Sequence, residues 1–278
     1  MYRIVKKEKM NEAVNKFVIE APLIARKRKP GQFIILRLHE KGERIPITIA
    51  DSDIEKGTIT IYVQKIGKTT YEFGSFKEGD YILDVSGPLG NPTPIEKKGN
   101  IYCIAGGVGA AEIYPIAKAY KEEGNNVYVI IGARNKELVI MEKEFKSFAD
   151  DVYITTDDGS YGRKGFVSDE LLEHINNRKI DEVIAVGPAI MMKVISELTL
   201  KYKIPTLCSL NAIMIDGTGM CGVCRVEVDG ITKYACVDGP EFDAHKVNFD
   251  LLMKRLKSYL DEERISLEQY KHMIGERR

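Results

Sequence analysis

Short apolar runs of strand type fill the first third of the chain. They are FIILRL (33–38), RIPITIA (44–50), TITIYVQ (58–64) and YILDVSG (81–87), rich in Ile, Val, Thr and Tyr. Turn signals at KPGQ (29–32), EKG (55–57) and EGD (78–80) separate them, and that spacing predicts a small antiparallel β-barrel or sandwich over residues 1–98. Near Gly99 the pattern changes. NIYCIAGG is an unbroken apolar strand of the kind a buried parallel sheet requires, and a glycine turn and the helical stretch AEIYPIAKAYKEEG follow it. NVYVIIGAR, DVYITTDDG and DEVIAVGP continue the alternation, which predicts a doubly wound α/β nucleotide-binding domain over 99–204. Residues 205–246 read as a compact, loop-rich module. The tail, 247–278, has helical spacing at Leu251, Leu252, Leu256 and Leu260, and Ser266 with Gln269 resembles a capping box for a last short helix.

Charge narrows the choice of partners. Lys plus Arg and Asp plus Glu balance at 41 each, so no basic surface points to nucleic acid. The N-terminal segment is mixed and charged, unlike a signal peptide, and no apolar run reaches the roughly 18 to 20 residues of a membrane span. A soluble, cytoplasmic protein is expected. In a reducing compartment the 5 cysteines read better as ligands or buried thiols than as disulfides. Cys103 lies mid-strand and Cys208 follows another apolar stretch, as buried small hydrophobes do.

The other three cysteines crowd into DGTGMCGVCRVEVDGITKYAC, from Asp216 through Cys221 and Cys224 to Cys236. The glycines permit a loop tight enough to wrap a metal centre, and a returning strand brings back the last thiol. Spacings of 4, 2 and 11 intervening residues resemble the plant-type [2Fe–2S] pattern, with Asp216 where a first cysteine would stand. A C-x-x-C pair is also a zinc half-site or a redox dithiol. Zinc ribbons usually show two such pairs, and a redox dithiol opens a helix instead of sitting in a glycine loop. Asp216 by itself is also an ordinary loop Asp before Gly.

Three further segments suit nucleotides. On RIPIT (44–48), strand alternation puts Arg44, Pro46 and Thr48 on one face and Ile45 and Ile47 on the other, so Arg44 can meet a phosphate and Thr48 a ring edge. GKTT, with Gly67, Thr69 and Thr70, offers amides and hydroxyls to a pyrophosphate without the first glycine of a Walker motif. Gly107, Val108 and Gly109 follow a strand and open a helix, the context for dinucleotide phosphates. Asp157 and Asp158 end a later strand, where a carboxylate can take ribose hydroxyls and repel a 2′-phosphate; a strand-end turn is the plain alternative for either. Gly187 and Pro188 end the next strand and would border the nicotinamide pocket.

This order of features resembles the ferredoxin reductase-like electron-transfer subunits, which include that of dihydroorotate dehydrogenase, over nearly the whole chain. ERIPITIAD, TTDDGSYG, VGPAIMMK, DGTGMCGVCRV and ACVDGPEFDAH are similar to one group within it. That group is the small (alpha) subunits of NADH-dependent reduced ferredoxin:NADP oxidoreductases, also called sulfide dehydrogenase subunits. The resemblance implies FAD, a [2Fe–2S] cluster and NAD(H) as cofactors. It places Arg44 on the FAD pyrophosphate, Thr48 near the isoalloxazine, and Gly67, Thr69 and Thr70 on the FAD phosphates. Gly107, Val108 and Gly109 would face the NAD pyrophosphate, Asp157 a ribose, and Asp216, Cys221, Cys224 and Cys236 the cluster.

Two departures stand out: Ile47 replaces the aromatic residue usually stacked on the flavin, and Asp216 replaces the fourth cysteine of the dihydroorotate-type subunits. The implied reaction passes a hydride between NAD(H) and FAD and single electrons through the cluster, with no acid–base catalytic side chain. The implied partner is a larger flavin and iron–sulfur subunit of glutamate synthase-like type, in a heterodimer that handles NADP(H) and ferredoxin by electron bifurcation. The alternatives are the electron-transfer subunit of a dihydroorotate dehydrogenase and, in a different class, a zinc-stabilised NAD-sensing module without redox turnover.

Overall fold

A computed structural model describes residues 1–275. Two antiparallel sheets form the N-terminal unit. One runs in the order Asp51–Asp53, Thr58–Gln64, Val14–Glu20, Tyr2–Lys9, Tyr81–Ile82; the other is Arg44–Thr48, Phe33–Arg37, Asp84–Leu89. Their inner faces share a core built from Ile4, Phe17, Ile19, Ile34, Leu36, Ile59, Ile61 and Phe73. The first two strands, Tyr2–Lys9 and Val14–Glu20, lie outside the runs predicted from the sequence. Tyr2–Lys9 is charged at most positions and buries only Ile4, so it pairs as a ladder without an apolar stripe.

The strand Phe33–Arg37 explains its unbroken apolar run. Ile34 and Leu36 point into the barrel, while Phe33 and Ile35 join a second core with Cys224, Cys236, Phe242 and Met214. Both faces are buried, one against the barrel and one against the cysteine module, so period-two alternation gives an apolar residue at every position. The barrel meets the nucleotide domain through Val14, Ala50 and Tyr62, which pack with Ala110, Ile113 and Ala117 of the helix Gly109–Glu122.

The central sheet has seven strands, ordered Arg163–Lys164, Asp151–Thr156, Asn126–Ala133, Asn100–Gly106, Glu182–Val186, Thr206–Ser209, Glu241–Asp243; all pairs are parallel except the last. The chain runs outward in both directions from Asn100–Gly106, which places the topological switch point between Asn100–Gly106 and Glu182–Val186. This sheet passes the expected boundary at 204. Thr206–Ser209 is a parallel strand of it, and Glu241–Asp243 pairs antiparallel with Thr206–Ser209, so the cysteine module leaves and rejoins the sheet at neighbouring strands.

The tail forms Phe249–Leu256, capped by the Asn248 side chain on the Leu251 amide at 3.0 Å, and Leu260–Met273. The capping box expected at Ser266 is absent, because Ser266 lies inside one continuous helix. Asp261, Glu262 and Glu263 fill its first turn and favour an earlier start by complementing the helix dipole. No described helix is long and apolar enough to cross a membrane.

Candidate functional site: a glycine crevice, an outward strand and a cysteine loop

The glycines at the switch point divide into two kinds. A Cβ on Gly109 would stand 2.3 Å from the Val186 carbonyl oxygen, and one on Gly106 would stand 2.6 Å from the Met191 sulfur and 2.8 Å from Pro188. Only glycine lets this helix and the Gly187–Pro188 turn approach so closely. Gly107 differs. Its φ is +58°, its amide donates to the Gly132 carbonyl at 2.9 Å, and the space beside its α-carbon is open. No side chain caps the helix that begins there; the Ala110 and Ala111 amides turn back on the Gly107 and Val108 carbonyls at 3.2 and 2.9 Å, which leaves the Val108 and Gly109 amides as the donors an anion could meet.

Asp157 closes the strand two places along the sheet, roughly 10 Å away at ordinary strand spacing, and its carboxylate accepts no hydrogen bond among the described residues. Asp158 is engaged, accepting from the Ser160 amide at 2.9 Å and its hydroxyl at 2.7 Å; these bonds hold its carboxyl below the usual range. Near the crevice, in the first turn of the helix Gly109–Glu122, burial pushes the Glu112 carboxyl up to about 7.

On the barrel, Ile45 and Ile47 pack inward, leaving Arg44, Pro46 and Thr48 on the outer face of their strand. Ile47 therefore lies on the face opposite Arg44, and Pro46 is the apolar surface between Arg44 and Thr48. Arg44 Nε donates to the Ile215 carbonyl at 3.1 Å, tying this strand to the residue before Asp216. A guanidinium carries five N–H donors, so both terminal nitrogens remain for a phosphate. The preceding residue, Glu43, which sequence reasoning passed over, accepts a short hydrogen bond from the Thr69 hydroxyl.

The expected roles of Thr69 and Thr70 change accordingly. Thr69 is held by Glu43, and the Thr70 hydroxyl accepts from the Ile66 and Gly67 amides at 3.0 Å while donating to the Gly67 carbonyl. Both hydroxyls are engaged in holding the helix Lys68–Phe73. What this turn presents outward is Gly67, which has nothing within 4 Å of its open side.

The cysteine loop is built on three left-handed glycines, Gly217, Gly219 and Gly222, with φ of +78°, +83° and +66°. A Cβ on Gly217 would stand 2.7 Å from Leu89 and 2.9 Å from Ile35, so the loop lies directly on the barrel. Its donors fall into two pairs. Cys224 and Cys236 are buried with sulfurs 3.2 Å apart, and burial together with the Cys224 thiol pushes the Cys236 thiol up to about 12. Asp216 takes the Cys221 amide at 2.9 Å and the Thr218 amide at 2.8 Å, bonds that hold its carboxyl below the usual range. Three thiols with one carboxyl, carried by one short loop and the chain that returns to it, are a fitting donor set for a two-iron cluster.

The two carbonyls between Cys221 and Cys224 are also occupied. That of Gly222 accepts from Arg225 at 2.8 Å and that of Val223 from Arg255 at 3.0 Å. Neither arginine was singled out in the sequence, because a bond to a carbonyl leaves no residue pattern. Cys103 and Cys208 are fully buried, and burial pushes both thiols up.

Comparison with known proteins agrees with this geometry. A model of the iron–sulfur cluster binding domain of dihydroorotate dehydrogenase B matches residues 211–248, and one of the oxidoreductase NAD-binding domain matches residues 103–197. An electron-transfer subunit homologue of dihydroorotate dehydrogenase B from Thermotoga maritima is 52% identical over 273 residues, covering 98% of this chain and 96% of its own. The chain belongs to the dihydroorotate dehydrogenase B electron-transfer subunit family. A probable member from Methanocaldococcus jannaschii is 36% identical over 80% of this chain and 81% of its own. A chain of the NADH-dependent reduced ferredoxin-NADP oxidoreductase, solved in work on flavin-based electron bifurcation, superposes with a TM-score of 0.93 at 51% identity, covering 97% of this chain and 98% of that one. Phthalate dioxygenase reductase shares the fold, with a TM-score of 0.60 at 19% identity over 92% of this chain and 80% of that one. This member of the family is an oxidoreductase subunit whose cofactors are FAD, a [2Fe–2S] cluster and NAD(H), and it works within a multi-subunit assembly.

Proposed function

We propose that this chain is the small subunit of an electron-bifurcating, NADH-dependent ferredoxin:NADP oxidoreductase. It exchanges electrons with NAD(H) and relays them to a larger flavin and iron–sulfur subunit of glutamate synthase-like type, as a heterodimer in the cytoplasm. The observation that carries the reading is the seat of the cysteine loop: Gly217 lies against Ile35 and Leu89, and Arg44 joins Ile215 to the outward strand, so cluster and flavin supports are one packed unit. Hydride transfer between nicotinamide and flavin, and one-electron transfer at the cluster, are chemistry that the cofactors supply.

The chain's own residues bind and orient. Arg44 and the open backbone at Gly67 would hold the FAD phosphates, with Thr69 and Thr70 fixing that turn from within. Pro46 and Thr48 would border the isoalloxazine. Gly107 and Val108 would carry the NAD pyrophosphate and Asp157 a ribose, while Gly109, Gly187 and Pro188 set the depth of the crevice. Asp216, Cys221, Cys224 and Cys236 would ligate the cluster. Met220 is 89% exposed, and Cys221, Ile215 and Val237 of the same module are exposed as well, apolar surface that suits the docking of the larger subunit.

Co-purification tests the partner: a glutamate synthase-like subunit is expected, and an FMN-barrel dehydrogenase in its place would move the assignment to dihydroorotate oxidation. That second reading has in its favour the family model matched at 211–248. Changing Asp216 to Cys should retain the cluster and shift its potential. An Asp216→Ala protein with unaltered cluster spectrum and potential would remove Asp216 from the ligand set.

A further inference from the structure

We infer that Arg225 and Arg255 set the reduction potential of the iron–sulfur cluster, holding it more positive than its ligands alone would. The inference rests on the cluster assignment proposed above. The two arginines come from separate elements, the strand Arg225–Val228 and the helix Phe249–Leu256, yet converge on adjacent peptide units of one four-residue loop. They line a single cavity of about 200 Å³ with Ala212, Leu252, Leu256 and Tyr259. Neither forms an ion pair with a carboxylate among the described residues. Two uncompensated positive charges are thus fixed beside the peptide that separates Cys221 from Cys224.

Guanidinium is charged at every accessible pH. Two ferric irons, two sulfides, three thiolates and a carboxylate would sum to a net charge of about −2, and reduction of one iron to the ferrous state would make it about −3. A fixed cation nearby stabilises the more negative, reduced form by more than the oxidised one, because Coulomb energy scales with the charge it meets. Arg225 is exposed and Arg255 half-buried, so part of that interaction runs through solvent, where salt screens it. Net charge around a cluster is one of the levers that set its potential.

A plainer role would be to pin the loop by capping its carbonyls, and the two roles separate by charge. Glutamine can still donate to a carbonyl but carries no charge; lysine keeps the charge without the planar fork. The experiment is an anaerobic redox titration of the holoprotein with its co-purified partner, followed by the EPR signal of the reduced cluster, for R225Q, R255Q, both together, and the matching lysine variants. Each glutamine variant should move the midpoint to more negative potential, the double variant by about the sum, and the lysine variants should stay near wild type. An unchanged midpoint in iron-replete glutamine variants, or equal shifts with glutamine and lysine, overturns the inference. If a glutamine variant loses its cluster, the wild-type midpoint decides: it should fall as salt is raised from about 0.01 to 1 M, which shortens the screening length from about 30 to 3 Å, and a salt-independent value overturns the inference. A wild-type protein without iron and sulfide would instead remove the cluster assignment, so the two failures are distinguishable.

Discussion

Replacing Gly109 by alanine probes how closely the nucleotide-binding helix must sit on the sheet. The new Cβ would stand 2.3 Å from the Val186 carbonyl oxygen and 2.8 Å from its carbon, against ordinary contact from 3.4 Å. Both atoms are main chain of the central strand Glu182–Val186, so no side chain can rotate away. The helix start must retreat by about 1 Å, the difference between 3.4 and 2.3 Å. Overpacking of this kind costs about 1–3 kcal/mol of stability. The same retreat carries the Gly107 and Val108 backbone with it, and a displacement of about 1 Å in a positioning group can cost on the order of a hundredfold in rate.

The assay is NADH-driven reduction of a dye by the FAD-loaded protein, with thermal unfolding in parallel. The expected result is a raised KM for NADH and a lowered melting temperature, with unchanged flavin content. Gly107→Ala is the contrasting control: its Cβ meets nothing, so the effect should fall on NADH binding, with only about 1 kcal/mol of left-handed strain in stability. A Gly109→Ala protein with wild-type KM and melting temperature would refute the close approach.

Asp157→Ala should weaken NADH binding about tenfold and narrow the preference over NADPH, as loss of a charged hydrogen-bond partner implies; comparing KM for the two cofactors checks it. Burial pushes the Glu241 carboxyl up to about 7 from its ordinary 4.5, an effect that the neighbouring Thr93 hydroxyl only partly opposes. Between those values the folded state holds a proton that the unfolded chain has lost, so stability falls as pH rises, by at most about 1.4 kcal/mol per unit. Glu241→Gln should therefore gain on wild type between pH 5 and pH 8 in denaturant unfolding; parallel pH profiles would count against it. Glu182, buried, is held by Lys98 at 2.8 Å and by the Tyr120 hydroxyl at 2.8 Å. Lys98→Met should cost on the order of 2 kcal/mol by stranding that carboxylate, and adding Glu182→Gln should recover most of it.

Sequence pattern carried the parallel strands well, because burial on both faces makes them apolar throughout. It missed Tyr2–Lys9, whose single buried side chain gives no periodic signal. The module boundary slipped for a related reason. Thr206–Ser209 is short, and its place in the sheet is decided by pairing with Glu182–Val186 and Glu241–Asp243, partners distant in sequence. In the site, residue types with restrictive chemistry could be singled out from the sequence as candidates: Asp216 and the three cysteines by spacing, and the crevice glycines by the turn they allow. Side chains that act on backbone were not. Arg44 on Ile215, Arg225 on Gly222 and Arg255 on Val223 all meet carbonyls, which every residue has. The hydroxyls of Thr69 and Thr70 looked free in sequence because nothing local reveals that Glu43 and the chain's own amides engage them.

The cysteine module begins and ends on adjacent strands, Thr206–Ser209 and Glu241–Asp243, hydrogen-bonded to each other. A redox carrier on a single flexible tether searches for its donor and acceptor, and its turnover depends on how often it docks. Here both ends of the carrier are stitched into the sheet that holds the glycine crevice, and its loop rests on the barrel. Electrons would cross fixed gaps, as along a wire, and lengthening the connections should slow transfer at every concentration and viscosity alike.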